Sequence, residues 1–391
     1  MTTKPNELKG TLRDLAPPGL RHLLPPVFDR PKPNEPHATC DDCAMCKDDN
    51  TDVDPATLSA LERSQTFRPD AKCCTYHPTL PNFYVGELLA DKDPANDEGR
   101  KRVRAKIAAR HGVSPFWLRG SRETRVMLSA SRFQGFGKTR ATLCPFYTDD
   151  HRCAIWPFRE AVCSTWYCKH EKGATGRYMW MALKDWLIHV ERRLVGWATN
   201  EVDPTLIDDP MNGARMSLRD LEGLPPSDEE YAGMWKDRVG KEEELYVEVY
   251  EKVQSLTPQK ALELMLDPDG RQLLTRIADT HDGVTAGRLH ERLVPARVLW
   301  RKKYEKGDRI VSYSNFDAQF INTAVMRLLE QFDEDETVDE LINRMRRDHG
   351  MDVPRALVQR LQDFEVLVPP THEKALKKAP AKADDEKTPA T

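Results

Sequence analysis

The sequence predicts an α+β protein, mostly helical, arranged as a cysteine-rich domain, a helical middle and a small C-terminal domain of strands and helices. Three observations predict it. All nine cysteines of the 391-residue chain lie between Cys40 and Cys168, and the other half of the chain has none. Tyr178 to Trp197 carries apolar residues at helical spacing, and past a loop-rich stretch over Asp203 to Pro226 further helical pieces reach about His281. Near the C-terminus two β-prone runs flank a glycine turn, and three amphipathic stretches and an apolar run follow. At ~100–200 residues per domain, the length allows roughly two to three domains and a core that needs no disulfide staples.

Residues 1–39 carry Pro17-Pro18, Pro25-Pro26, Pro31, Pro33 and Pro36 among polar residues, and they predict an extended arm. Residues 40–200 follow as the cysteine domain. It opens with Cys40, Cys43 and Cys46 in a C-x2-C-x2-C run, a spacing that lets a tight turn aim successive thiolates at one ion or cluster. An acidic insert leads to the adjacent Cys73 and Cys74, which cannot easily join each other in a disulfide. One of them ligates while the other packs, or each serves a different site. His77 is a candidate nitrogen ligand, set against the commoner turn histidine before a proline.

From Arg100 to Arg140 the chain is basic. Val103 and Ile107 predict a short amphipathic helix stopped near Gly112. Without interleaved aromatic residues, this run reads as a solvated helix face that also compensates thiolate charge, rather than as a nucleic-acid platform. Gly135-Phe136-Gly137-Lys138-Thr139 is no phosphate loop, because Arg132 stands where the Walker pattern needs glycine. It predicts a glycine turn between short strands, the first over Arg125 to Ser131.

The densest stretch holds Cys144, Cys153, Cys163 and Cys168 among aromatic residues and arginines. Disulfides need an oxidising compartment, and the first residues offer no apolar core for a secretion signal, so the expected location is cytoplasmic. Metal is the stronger reading of the thiols. Thiolate is a soft donor that suits zinc or an iron–sulfur cluster, and it does not choose between them. A net charge of −4 makes no case for nucleic acid or membrane, and no apolar run approaches the ~20 residues of a span.

Leu183, Trp186, Leu187, Val190 and Leu194 predict an amphipathic helix over Tyr178 to Trp197. In the helical region 201–294, Ser227 and Glu230 form a capping-box signature opening one long charged helix to about Leu256. In 295–370, Val298 to Tyr304 and Arg309 to Tyr313 predict a hairpin. Helices are predicted over Asp317 to Gln331, from a Thr337–Glu340 capping box, and from Pro354, before a closing strand at Val366 to Val368. Residues 371–391 are Lys, Ala and Pro without periodicity and predict a disordered tail.

Certain phrases carry a resemblance: the Cys40, Cys43, Cys46 run, the Cys73-Cys74 pair, Cys144-Pro145-Phe146, Cys153-Ala154-Ile155-Trp156, and Phe158-Arg159-Glu160-Ala161-Val162-Cys163 leading to Cys168. Residues Cys40 to Lys172 resemble the YkgJ-like cysteine-cluster family of zinc- or iron-chelating proteins, which includes flagellin lysine-N-methylases. The family runs its first four cysteines together. Here Lys47 follows Cys46, and the pair comes later. Residues Pro295 to Pro370 look like a PqqD-like domain, a winged-helix-like module that holds a precursor peptide in peptide-modifying systems. The resemblance implies a metal protein with a C-terminal domain for a peptide or protein partner. Two alternatives stay open: an enzyme modifying a protein or peptide through the cluster, and an interaction protein with purely structural zinc.

Overall fold

The computed structural model describes residues 10–35, 43–46, 65–130, 135–207 and 218–376. The fold is mixed α+β, about 51% helix, with small antiparallel sheets. The chain divides into two compact units: Met1–Glu171 with Thr175–Ala286, and Lys172–Ala174 with Gly287–Thr391.

In the first unit the described part of the proline-rich segment, residues 10–35, is not simply extended. Pro18 and Pro26 each open a helical turn, Pro18–Arg21 and Pro26–Asp29, because proline's fixed φ suits the first position of a helix. Leu12, Leu20, Leu23 and Phe28 are buried in the main core. The helices that follow are α1 (Asn82–Ala90), α2 (Asp97–Ala109), α3 (Arg122–Ala130), α4 (Ala161–Thr165), α5 (Gly173–Val202), α6 (Asp228–Trp235), α7 (Glu242–Gln254), α8 (Pro258–Met265) and α9 (Pro268–Ala286). Two-residue strands β1 (Leu80–Pro81) and β2 (Trp117–Leu118) pair antiparallel.

The core forms around α5, where Trp180, Leu183, Trp186, Leu187, Val190 and Leu194 are buried. Helices α1 and α7 pack backbone to backbone at Gly86, where a Cβ would lie 1.9 Å from the Tyr246 carbonyl oxygen. The basic helix expected around Val103 and Ile107 is α2; both residues are buried, and it ends at Arg110 in the left-handed region. Two expectations differ from what is found. Arg122–Ala130 is helical rather than a strand, and the Ser121 hydroxyl caps it by accepting the Thr124 N–H at 3.2 Å. The helix opened by Ser227 is two helices, broken where Lys236 and Gly240 take positive φ.

The second unit contains strands β3 (Val294–Pro295), β4 (Trp300–Tyr304), β5 (Gly307–Val311), β6 (Gln319–Asn322) and β7 (Leu367–Val368), and helices α10 (Thr323–Leu329), α11 (Val338–His349) and α12 (Arg355–Asp363). β3 pairs with β7, and β4-β5-β6 form an antiparallel sheet in that order. The first predicted helix begins too early. Gln319–Asn322 pairs with Gly307–Ile310, and the Asn322 side chain then caps α10 through the Val325 N–H at 2.9 Å. A core of Ile310, Tyr313, Leu341, Ile342, Val358, Leu361 and Phe364 joins sheet and helices.

Candidate functional site

No disulfide joins Cys43, Cys46, Cys73, Cys74, Cys144, Cys153, Cys163 and Cys168, all of them half-buried. Cys40 lies outside the described residues. Backbone hydrogen bonds stitch the cysteine-bearing segments together. Phe67 N–H donates to Met45 O at 2.6 Å, beside Cys46, and Arg68 N–H to Gly137 O at 2.8 Å. Gly137 N–H donates to Thr75 Oγ1 at 2.7 Å, and Cys144 N–H to Cys74 O at 2.7 Å. The predicted glycine turn is therefore real, and its use is close packing. Gly137 has φ +73°, and a Cβ there would lie 2.3 Å from the Phe67 ring.

The thiols converge as well. Cys43 is a near neighbour of Cys46 and Cys74 of Cys73, each raising the other thiol of its pair. Charge on Cys168 would be felt by Cys73 and Cys43, charge on Cys144 by Cys153 and Cys73, and charge on Cys163 by Cys144. Burial pushes Cys46 and Cys144 up to about 12, with Cys43 adding at the first and Cys153 at the second. The neighbouring Cys74, then burial, raises Cys73. Burial raises Cys168, opposed by the Trp166 indole, whose Nε1–H donates to Cys168 Sγ at 3.3 Å. At Cys46, Cys73, Cys144, Cys163 and Cys168 the protonated thiol is thus favoured in the bare protein, and a cation is what would stabilise thiolates there. Among the described residues, no three His, Cys, Asp or Glu side chains form a group that could hold one ion.

His77 takes the structural role. It is half-buried, and its Nε2 pairs with Leu143 O at 3.1 Å. The basic stretch is largely spent on acids and carbonyls. Arg100 pairs with Asp91 and Asp97, Arg110 with Asp228, Arg122 with Asp220 and Arg140 with Asp70. Arg102 Nη1 donates to Pro145 O and Tyr147 O, each at 2.8 Å, and so steadies the turn after Cys144. Lys106 and Lys138 lie near Cys144 and Cys46, and burial lowers both lysines.

Sequence reasoning missed a buried acidic pair. Glu160 and Glu191 are 3% and 4% exposed. Burial raises both carboxyls, Glu191 further because Glu160 is its neighbour. Glu160 caps α4 by accepting Val162 N–H at 2.6 Å and Cys163 N–H at 3.0 Å. Both had a signal. Glu160 stands three residues before Cys163, and Glu191 falls on the apolar stripe of α5, four residues after Leu187.

Among the described residues, no helix is long and apolar enough to cross a membrane. Comparison with known proteins finds no matching family model, no similar curated protein and no similar solved structure.

Proposed function

We propose that the chain binds a thiolate-ligated metal, zinc or an iron–sulfur cluster, in its cysteine-rich unit, and uses its second unit to recognise a peptide or protein. One observation carries the first part: cysteine-bearing segments far apart in sequence are stitched together, with Cys144 N–H donating to Cys74 O at 2.7 Å. The donor chemistry fits, since the eight described thiols are soft donors. Their arrangement fits in part. Neighbouring sulfurs around a tetrahedral ion with ~2.3 Å bonds stand about 3.8 Å apart, within thiol hydrogen-bond reach. Cys43 with Cys46 and Cys73 with Cys74 are the thiol neighbours from which such a set would be built, and a full ligand set takes more than one such pair. Bound there, zinc would staple the segments, and a cluster would add one-electron chemistry.

The second unit reads as a PqqD-like, winged-helix-like module. Supporting this are its three strands followed by three helices, and its sheet, in which β4 and β6 each hydrogen-bond to β5 alone among the described strands. An extended segment added to such an edge satisfies its open N–H and C=O groups. Lys303 is exposed on β4, beside Arg301, and favours an acidic segment.

Protein purified without oxygen is expected to carry iron or zinc, with acid-labile sulfide if a cluster is present, and to resist thiol alkylation while folded. Protein that holds neither metal and alkylates at every cysteine while folded would overturn the metal reading. For the second unit, amide exchange of the full chain with extended acidic peptides is expected to show protection confined to one sheet edge and its adjoining helix. No protection at any concentration refutes peptide capture.

A further inference from the structure

We propose that Glu191 is a positioning residue for Cys163: from the middle of α5 it fixes, together with Glu160, the turn that holds this thiol beside Cys144. The inference rests on the reading of Cys163 as a ligand, and the observations behind it are geometric. Helix α4 has only five residues, too few to hold its shape by its own hydrogen bonds. Its first N–H groups have no partner within the helix and must find one elsewhere. Here all three are taken by two buried carboxylates from different elements. Glu191 Oε1 accepts Ala161 N–H at 2.8 Å, and Glu160 accepts those of Val162 and Cys163.

The other side of the turn is held too. Arg159 Nη1 donates to the Cys163 carbonyl at 2.9 Å, and its guanidinium stacks 3.5 Å above the Trp156 ring. Tyr84, on α1 and 1% exposed, lies beside Glu191 and walls in the carboxyl that holds the turn. Three separate elements therefore converge on one cysteine. A leucine at position 191 would continue the apolar stripe of α5, and burying two acids together is unfavourable. What the acid supplies in return is an acceptor aimed at the backbone two residues before Cys163.

The test compares Glu191→Ala, which removes the acceptor, with Glu191→Gln, which keeps it. Neither variant has an ionisable carboxyl at position 191, so the difference between them reports the acceptor. The full chain is stripped of metal, kept reduced and treated with iodoacetamide, and each cysteine is followed by mass spectrometry. Exposing a buried unpaired N–H is expected to speed Cys163 alkylation by roughly tenfold in Glu191→Ala over Glu191→Gln, with Cys43, Cys46, Cys73 and Cys74 changed less than about twofold. Equal Cys163 rates in the two variants, or a common acceleration of every cysteine, overturns the proposal. If Glu191→Ala does not fold, Tyr84→Phe serves, with a smaller acceleration at Cys163 alone expected and no change overturning the proposal. A Co2+ titration of the same proteins follows the thiolate-to-cobalt absorption. If wild type takes up no Co2+, the metal reading fails, while the alkylation rates still decide the role of Glu191.

Discussion

In the second unit, helix α11 begins where Thr337 and Glu340 cap each other and ends at Gly350 in the left-handed region. In the cysteine region, helix α4 begins on two buried carboxylates, one contributed by another helix. The first arrangement is local and can be written into six or seven consecutive residues. The second exists only when α1, α4 and α5 are already together. The same contrast holds for the loops. Between Gln65 and His77 and between Gly135 and Phe158 the backbone is held by bonds such as Cys144 N–H to Cys74 O, rather than by ladders or helices. Lys72, Gly137 and His151 take positive φ there. Such a region has few internal reasons to keep its shape, and what its thiols bind should matter to it far more than to the second unit.

The largest expected effect tests that dependence. Cys73 adjoins Cys74, whose backbone carbonyl accepts Cys144 N–H at 2.7 Å, and Cys74 and burial raise its thiol. Cys73→Ser is expected to lower metal affinity by more than about tenfold, since outer-shell changes alone commonly cost ~10–100-fold. Amide exchange should then rise in Gln65–His77 and Cys144–Cys168 and stay unchanged in Thr323–Asp363. Equal loosening of both units would break the comparison, and full metal content would remove Cys73 from the ligand set.

A smaller effect is electrostatic and sits in the first unit away from the thiols. Glu87 is 6% exposed and accepts Gly19 N–H at 2.6 Å, anchoring the N-terminal segment. Burial pushes its carboxyl from 4.5 up to about 7, opposed by that N–H and by Arg21, with Asp91 adding to the rise. The folded chain therefore holds this proton more tightly than the unfolded one, and stability falls as pH rises from the ordinary carboxylate range through about 7. The decline amounts to about 3 kcal/mol by pH 8. Glu87→Gln keeps an acceptor for Gly19 and removes the charge. It is expected to lie within about 1 kcal/mol of wild type at pH 5 and to exceed it by about 3 kcal/mol at pH 8 in urea titrations. A constant difference across that range would show that Glu87 is not the titrating group.

Legibility in the sequence followed the same division. The apolar stripe of α5, the Ser227–Glu230 and Thr337–Glu340 boxes and the hairpin at β4-β5 are local signals, and each marks a real element. Gln319–Asn322 misled because Ile321 continues the apolar spacing of α10 backwards. Its pairing with β5 decided the matter, and pairing is not local. Lys236 gave no warning of a left-handed residue that splits two helices. At the site, the clustering of cysteines was visible, whereas the approach of Cys74 to Cys144 is a tertiary fact. Glu191 was visible in principle, as an acid on an apolar face, and a stripe read only for its apolar members hides it.

The smallest expected effect sharpens the comparison from the other side. The Thr337 hydroxyl accepts Glu340 N–H at 3.2 Å, and Thr337 N–H donates to Glu340 Oε2 at 2.8 Å, so two groups that a helix start leaves open close on each other. Val338 N–H reaches Glu291 O at 2.8 Å, and Asp339 pairs with Arg355 at the surface. Because the cap is local, Thr337→Ala should cost about 1 kcal/mol and no more. Thr337→Ser, which keeps the oxygen, should cost a few tenths of that. Amide exchange in Thr337→Ala is expected to quicken at Asp339, Glu340 and Leu341, with metal content and the cysteine region as in wild type. Loosening that spread through β4-β5-β6 would mean that the second unit, too, is held by distant bonds, and the contrast with α4 would then be one of degree.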